Sequence, residues 1–269
     1  MEKSKHSKKD NRSIKSKILT GRHIFAVLIS LFLIIGAYAI YRLISIERNY
    51  SAAQNEYGEL REYSPIRLSS PDWIISAPDF SESELNPEQE QNIETALDLS
   101  MINPDYVGWI RIDGTVIDYP VVQGSDNIKY LNTTFRGERN SSGTIFMDTG
   151  CTGDFTGFTL LHGHNMRDGS MFADLNGFTG FWTSYPDIAI FTKDGKLLTF
   201  TIFDIKRTDN GNTLFSLPGK SLDAAADYFS VYGFSVQDFL DGTDILVLAT
   251  CTSGHRDERL VVFAVNHRT

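Results

Sequence analysis

The chain has 269 residues, 41% of them hydrophobic and 12% aromatic, enough for one or two domains with a sizeable core and too apolar for a disordered protein. Its net charge is −9, and residues 1–23 hold eight basic side chains against two acidic ones, so the remainder is more acidic still. A body of that sign excludes nucleic acid as the expected partner.

Residues 1–23 read as a basic tail. Ile24 to Tyr41 follows as an eighteen-residue stretch without a charge. A bilayer span takes about 20 apolar residues, in a range of about 17–25. The apolar region of a cleaved signal peptide is shorter, about 7–15 residues. The length predicts a signal-anchor over 24–41 that is retained, although Gly36-Ala37-Tyr38-Ala39 carries a weak cleavage-like pattern. Basic residues ahead of the span predict a cytoplasmic N-terminus. The expected localisation is the cell membrane, single-pass, with everything after the span outside.

Residues 42–80 are polar, contain Pro65, Pro71 and Pro78, and read as an extracellular linker or stalk before a folded domain over 81–269. Ser81 to Ser100 has helical periodicity through Ile93, Leu97 and Met101, with Ser83 as its cap. Short strands then alternate with turn residues. They are expected at 107–112, 116–122, 144–147, 158–162, 188–192 and 197–205, with Asp113-Gly114 and Asp194-Gly195 as turns. Leu222 to Phe229 reads as a helix, and two strands, 244–250 and 259–266, follow. Many short strands with few helices predict a mainly β domain, an antiparallel barrel or sandwich.

The strongest chemical signal lies at the end of the apolar run from Asp244, which delivers Cys251 to a strand edge. An unperturbed cysteine holds only a few per cent thiolate at neutral pH and needs a proton acceptor nearby. His164, in the turn of Leu161-His162-Gly163-His164-Asn165-Met166, is the candidate general acid/base. His162 and His255 compete with it. Arg259 opens the last expected strand and, across a hairpin from Cys251, is the candidate donor to an oxyanion. Arg256 competes, and pairing of either arginine with Asp257 or Glu258 is the ordinary alternative. Cys151 sits in a loop-like Thr149-Gly150-Cys151-Thr152 context. Two free thiols are expected, because a permanent bridge would silence Cys251. His162-Gly163-His164 lacks partner ligands in the sequence, so neither a metal nor a cofactor is expected.

Over roughly residues 85–266 the chain resembles the sortase family, class B most closely. The resemblance rests on Asn103-Pro104-Asp105-Tyr106-Val107-Gly108-Trp109-Ile110, Ile117-Asp118-Tyr119-Pro120, Tyr130-Leu131-Asn132, Gly143-Thr144-Ile145-Phe146-Met147-Asp148, Gly163-His164-Asn165-Met166 and Leu248-Ala249-Thr250-Cys251. It implies an eight-stranded sortase barrel with an N-terminal helix and a helix in the connection before the cysteine strand. It also implies a transpeptidase with Cys251 as nucleophile, His164 as acid/base and Arg259 as oxyanion donor. Thr250, Ala249 and Asn165 are expected at the substrate. The implied partners are secreted proteins with a C-terminal sorting motif, cleaved at its Thr, and an amine of a peptidoglycan precursor or a pilin as acceptor.

Three positions depart from the family pattern. Val247 stands for a usual Thr, Ala249 for a common Ser, and His162 for the aromatic, such as Tyr, that usually precedes Gly-His-Asn. Two other readings compete: an L,D-transpeptidase-like enzyme, which lacks its Ser-x-Gly-Cys context here, and a surface-anchored binding module with Cys251 in its core.

Overall fold

The computed structural model describes residues 3–65, 99–178, 187–217, 222–231, 243–252 and 255–267. Within these, the side chains of 3–22, 222–224, 231, 255, 256 and 267 are not described. The chain divides into two units, Met1–Asn49 and Tyr50–Thr269.

The first unit is helical. Helix α1 spans Lys3–Leu60. Its apolar part is long enough to cross a membrane, and none of it is buried in protein. Phe32 is 76% exposed and Leu43 68%. In water such exposure is costly, whereas in hydrocarbon it is the stable arrangement.

In the second unit, strands β1 (Tyr106–Ile112), β2 (Asp118–Val122), β3 (Ile145–Met147), β4 (Phe158–His162), β5 (Ile188–Thr192), β6 (Leu197–Asp209), β7 (Thr243–Thr252) and β8 (His255–His267) form a closed barrel. Their order is β1-β2-β3-β4-β7-β8-β6-β5. Closure leaves no free sheet edge, which is how short strands of this kind avoid edge-to-edge association. The mainly β expectation holds, but the barrel is not wholly antiparallel. β2 pairs with β3, and β4 with β7, in parallel. Parallel neighbours need a long crossover, and residues 163–242 supply one between β4 and β7.

The expected turns appear between β1 and β2 and between β5 and β6, with Gly114 at φ +77 and Gly195 at φ +82. The closing strands are longer than expected. β7 runs through Cys251 to Thr252, and β8 starts at His255, so strand extends into the segment expected to connect them, with Thr252 paired to His255. Backbone pairing extends a strand past its apolar run, which periodicity alone misses. The helix expected over 81–100 lies outside the described residues except for its last turn.

Helix α2 (Leu222–Val231) buries Ala225, Ala226 and Phe229. Phe229 packs on Phe263 of β8 and Phe203 of β6, at centroid distances of 5.2 and 6.0 Å. α2 therefore covers one outer patch of the barrel. Phe263, Val261 and Arg259 alternate onto that outer face, while Leu260, Val262 and Ala264 turn inward.

The last turns of α1 belong to the barrel's packing. Ala53, Tyr57 and Leu60 are buried at helical spacing. This part of the expected stalk is therefore docked helix. The Tyr57 hydroxyl donates to the Gly143 carbonyl and shares a 3.1 Å hydrogen bond with Thr144 Oγ1. Burial pushes the Tyr57 phenol well above its ordinary pKa, so it stays a donor. Gly143 itself has φ +59, and a Cβ there would lie 2.4 Å from the Tyr130 carbonyl oxygen and 2.9 Å from that of Leu131. Gly137 has φ +90 with nothing within 4 Å of a Cβ. Gly143→Ala should therefore lower unfolding free energy by about 2–4 kcal/mol, and Gly137→Ala by only about 1–2 kcal/mol. Denaturant unfolding of the two variants checks this; equal losses would show that the carbonyl contacts at Gly143 do not matter.

Candidate active site

Cys251 lies in β7, which sits between β4 and β8. Register places Cys251 directly opposite Arg259 on β8. Opposite residues of an antiparallel pair share a face, with Cβ atoms about 4.5–5.5 Å apart. Cys251 is half-buried, and neither it nor Cys151 is in a disulfide among the described residues. Arg259 is also half-buried, with Nη1 donating to the Glu258 carbonyl at 3.3 Å.

The other flank of Cys251 is formed by the segment that leaves β4. His162 pairs with Ala249 across the parallel β4–β7 ladder, and the Gly163 amide then donates to the Ala249 carbonyl at 3.2 Å. Asn165 Nδ2 donates to the Cys251 carbonyl at 3.0 Å, and Asn176 Nδ2 reaches the same oxygen at 3.5 Å. The segment that holds His164 thus runs along β7. Gly163 is required for this path, because a Cβ there would meet the Phe172 ring at 2.5 Å. The loop is closed by the Phe172 amide donating to the His164 carbonyl at 2.9 Å and by a bridge between Asn165 and Met171.

His164 Nε2 lies 2.7 Å from the Leu131 carbonyl oxygen. A carbonyl only accepts, so Nε2 carries a proton and Nδ1 is the nitrogen left to exchange one. The same argument holds for His162, whose Nε2 lies 3.2 Å from Oδ2 of the buried Asp148. Asp148 Oδ2 also accepts from Asn127 Nδ2 at 3.0 Å, and its Oδ1 accepts from the Gly150 amide at 3.0 Å. The His162 ring stacks on Phe146 at 5.1 Å and faces Phe215 at 6.5 Å. It fills the role of a flat aromatic wall, with a carboxylate fixing its orientation.

The expected residues separate into two groups. Arg259 lies opposite Cys251, Asn165 bonds the Cys251 carbonyl, and Ala249 shares the face of Cys251 and is 3% exposed, while the side-chain contact of His164 is with the Leu131 carbonyl. Thr250 alternates to the barrel interior opposite Leu260, is 2% exposed, and its Oγ1 has no hydrogen-bond partner among the described residues. The backbone of the competitors His255 and Arg256 is in β8, and their side chains lie outside the described residues. Sequence reasoning missed the Leu131 carbonyl, Asp148 and Asn176. A main-chain acceptor leaves no side-chain signature. Asp148 was visible only as the last residue of a family-like segment.

Comparison with known proteins agrees with this architecture. Residues 110–267, more than half of the chain, match the family model described as Sortase domain. Sortase B of Listeria monocytogenes is 46% identical over 82 residues, 30% of this chain and 33% of that protein. Sortase B of Staphylococcus aureus is 37% identical over 117 residues, 42% of this chain and 48% of that protein. The chain thus spans about a third and about half of the length of these two curated relatives. A mutant form of Clostridium perfringens sortase B superposes with a TM-score of 0.59 at 31% identity, covering 78% of this chain and 96% of that one. A Streptococcus pyogenes class B sortase involved in pilus biogenesis gives 0.55 at 30% identity, covering 63% and 96%. With its eight-stranded barrel and its match across both the β4 and β7–β8 segments, the chain belongs to the sortase family.

Proposed function

We propose that the chain is a membrane-anchored, class B cysteine transpeptidase. It cleaves a C-terminal sorting motif of secreted proteins after its Thr and transfers the acyl group to a cell-wall or pilin amine. The observation that carries this reading is the pairing of Cys251 with Arg259 on one side of β7, with Asn165, next to His164, bonded to the Cys251 carbonyl on the other. Residues 1–23 then lie in the cytoplasm, 24–41 in the bilayer and the barrel outside, where such substrates are. The basic tail ahead of the apolar helix supports that orientation.

The chemistry follows from the three side chains. The Cys251 thiolate attacks the Thr carbonyl carbon, and the carbonyl π electrons move to oxygen. The Arg259 guanidinium, held across the ladder, donates to that oxyanion. Collapse of the tetrahedral intermediate breaks the C–N bond, and protonated His164 gives its Nδ1 proton to the departing amine. The product is a thioester on Cys251. An incoming amine attacks it and loses a proton to His164 Nδ1. The C–S bond breaks, and a new amide leaves with the thiolate restored. Asn165 and Asn176 hold the Cys251 backbone, Ala249 lies beneath the substrate chain, and the His162 ring walls its path. Thr250 contributes through the barrel interior behind the cysteine.

Kinetics on a sorting-motif peptide with an amine acceptor test the roles. Cys251→Ala should lower both cleavage and transfer by about 10³-fold or more. Arg259→Lys keeps the charge but loses the fork, and should lower kcat by about 10²–10³-fold with little change in KM. Full activity in either variant would remove that residue from the mechanism. Nitrogen-15 NMR of the resting enzyme should show His164 protonated at Nε2; a neutral ring protonated only at Nδ1 would contradict the Leu131 anchor.

A further inference from the structure

A pocket of about 240 Å³ lies in the barrel unit between the last turns of α1 and the far end of the His164 loop. That is just below the usual span of ligand sites, about 300–1,000 Å³, and suits a ligand of amino-acid size. Its floor is buried: Tyr57, Tyr119, Met171 and Ser142 are each at most 3% exposed. Its rim carries two opposite charges, Arg61 and Asp168.

These charges do not neutralise one another. Arg61 donates through Nε to the Asp118 carbonyl at 3.2 Å and through Nη2 to that of Val116 at 3.3 Å. Its ion pair is with Asp118 Oδ2, at 3.9 Å. Asp168 accepts from Gln54 Nε2 at 3.1 Å and from the amide and hydroxyl of Ser170 at 3.1 and 2.7 Å. All three donors are neutral, and no cation pairs with Asp168 among the described residues. Burial raises the pKa of the Tyr119 phenol, against the lowering effects of the Met171 amide and of Arg61, and Asp168 adds a smaller upward push. Ser142 lines the pocket, is 1% exposed, and its Oγ has no hydrogen-bond partner among the described residues. A buried hydroxyl without a partner is costly, and a polar ligand atom relieves that cost.

We propose that this pocket binds an α-amino acid zwitterion, its carboxylate on Arg61, its ammonium on Asp168 and a polar atom against Ser142. The chemistry has two sources: a free small amino acid, or the free amino–carboxylate end of a diamino dicarboxylic acid within a cell-wall peptide. The second source rests on the transpeptidase reading; the binding itself does not. The site touches catalysis through one wall. Met171 donates its amide to the Tyr119 hydroxyl at 3.2 Å and bridges to Asn165, and Phe172 holds the His164 carbonyl. A bound ligand therefore braces the loop that carries His164.

The test uses the full chain in detergent micelles with methyl-labelled methionine and follows the Met171 signal. Glycine should shift it saturably, with Kd in the roughly millimolar range expected of exposed charge pairs. Glycinamide, which lacks the carboxylate, and N-acetylglycine, which lacks the ammonium, should bind at least about 10-fold more weakly. Arg61→Gln should erase the preference for glycine over glycinamide, and Asp168→Asn the preference over N-acetylglycine. The ligand series on the unaltered chain stands even if a variant fails to fold. Saturation by glycine and D-alanine alone assigns the site to free amino acids. Equal or tighter binding of a peptide whose one amino–carboxylate pair is the free end of a diamino dicarboxylic acid assigns it to the cell wall. Equal shifts by glycine, glycinamide and N-acetylglycine, or no saturable shift, overturn the proposal. These readouts need no peptidase activity, so failure of the transpeptidase reading leaves them intact.

Discussion

Parallel pairing of β4 with β7 is the constraint on which the rest of the site depends. It sets His162 beside Ala249, and the segment leaving β4 then runs along β7 through the Gly163 amide on the Ala249 carbonyl and the Asn165 side chain on the Cys251 carbonyl. β8, antiparallel on the other side, brings Arg259 opposite Cys251. Slipping either ladder by one residue would turn Cys251 or its partner to the other face. The buried apolar residues of β7 and β8 oppose that slip, because every inward side chain of Leu246, Leu248, Val262 and Ala264 would move with it. Core packing and the placement of Arg259 opposite Cys251 are thus held by one register.

A second layer of support reaches the site through main-chain carbonyls. Tyr57 of α1 holds the Gly143 carbonyl, Gly143 packs without a side chain against the Tyr130 and Leu131 carbonyls, and the Leu131 carbonyl orients His164. The last turns of α1 are therefore part of the frame around His164. His162 is held independently, by the buried Asp148 carboxylate and the Phe146 ring. Where the family pattern has an aromatic, the ring is kept here and a charge-assisted hydrogen bond is added.

Much of this was legible in the sequence because it depends on local chemistry. The apolar run of 244–250, the glycine turns at 114 and 195, and the alternation of 188–192 state their strands directly. Cys251, His164 and Arg259 announce themselves as reactive side chains in turn or strand-end contexts. The partners that orient them do not. The Leu131 carbonyl is identical in every residue type, Asp148 acts from a separate loop, and the parallel neighbours arise from a crossover that no periodicity records. Thr250, which the resemblance expects at the substrate, is paired with Leu260 on the face of β7 away from Cys251, and only the ladder shows that. The extension of β7 and β8 past their apolar runs was likewise invisible, since ladder hydrogen bonds, not hydrophobicity, hold those ends.

The central claim is that Cys251 is the atom to which the cleaved substrate becomes attached. Intact-mass and peptide-mapping spectrometry of the full chain, acid-quenched during turnover of a sorting-motif peptide without an amine acceptor, tests it most directly. The account predicts a mass increase equal to the N-terminal acyl fragment, located on Cys251, discharged by hydroxylamine. Substrate cleavage with no adduct on Cys251, or with the acyl group on Cys151 or another residue, would contradict it.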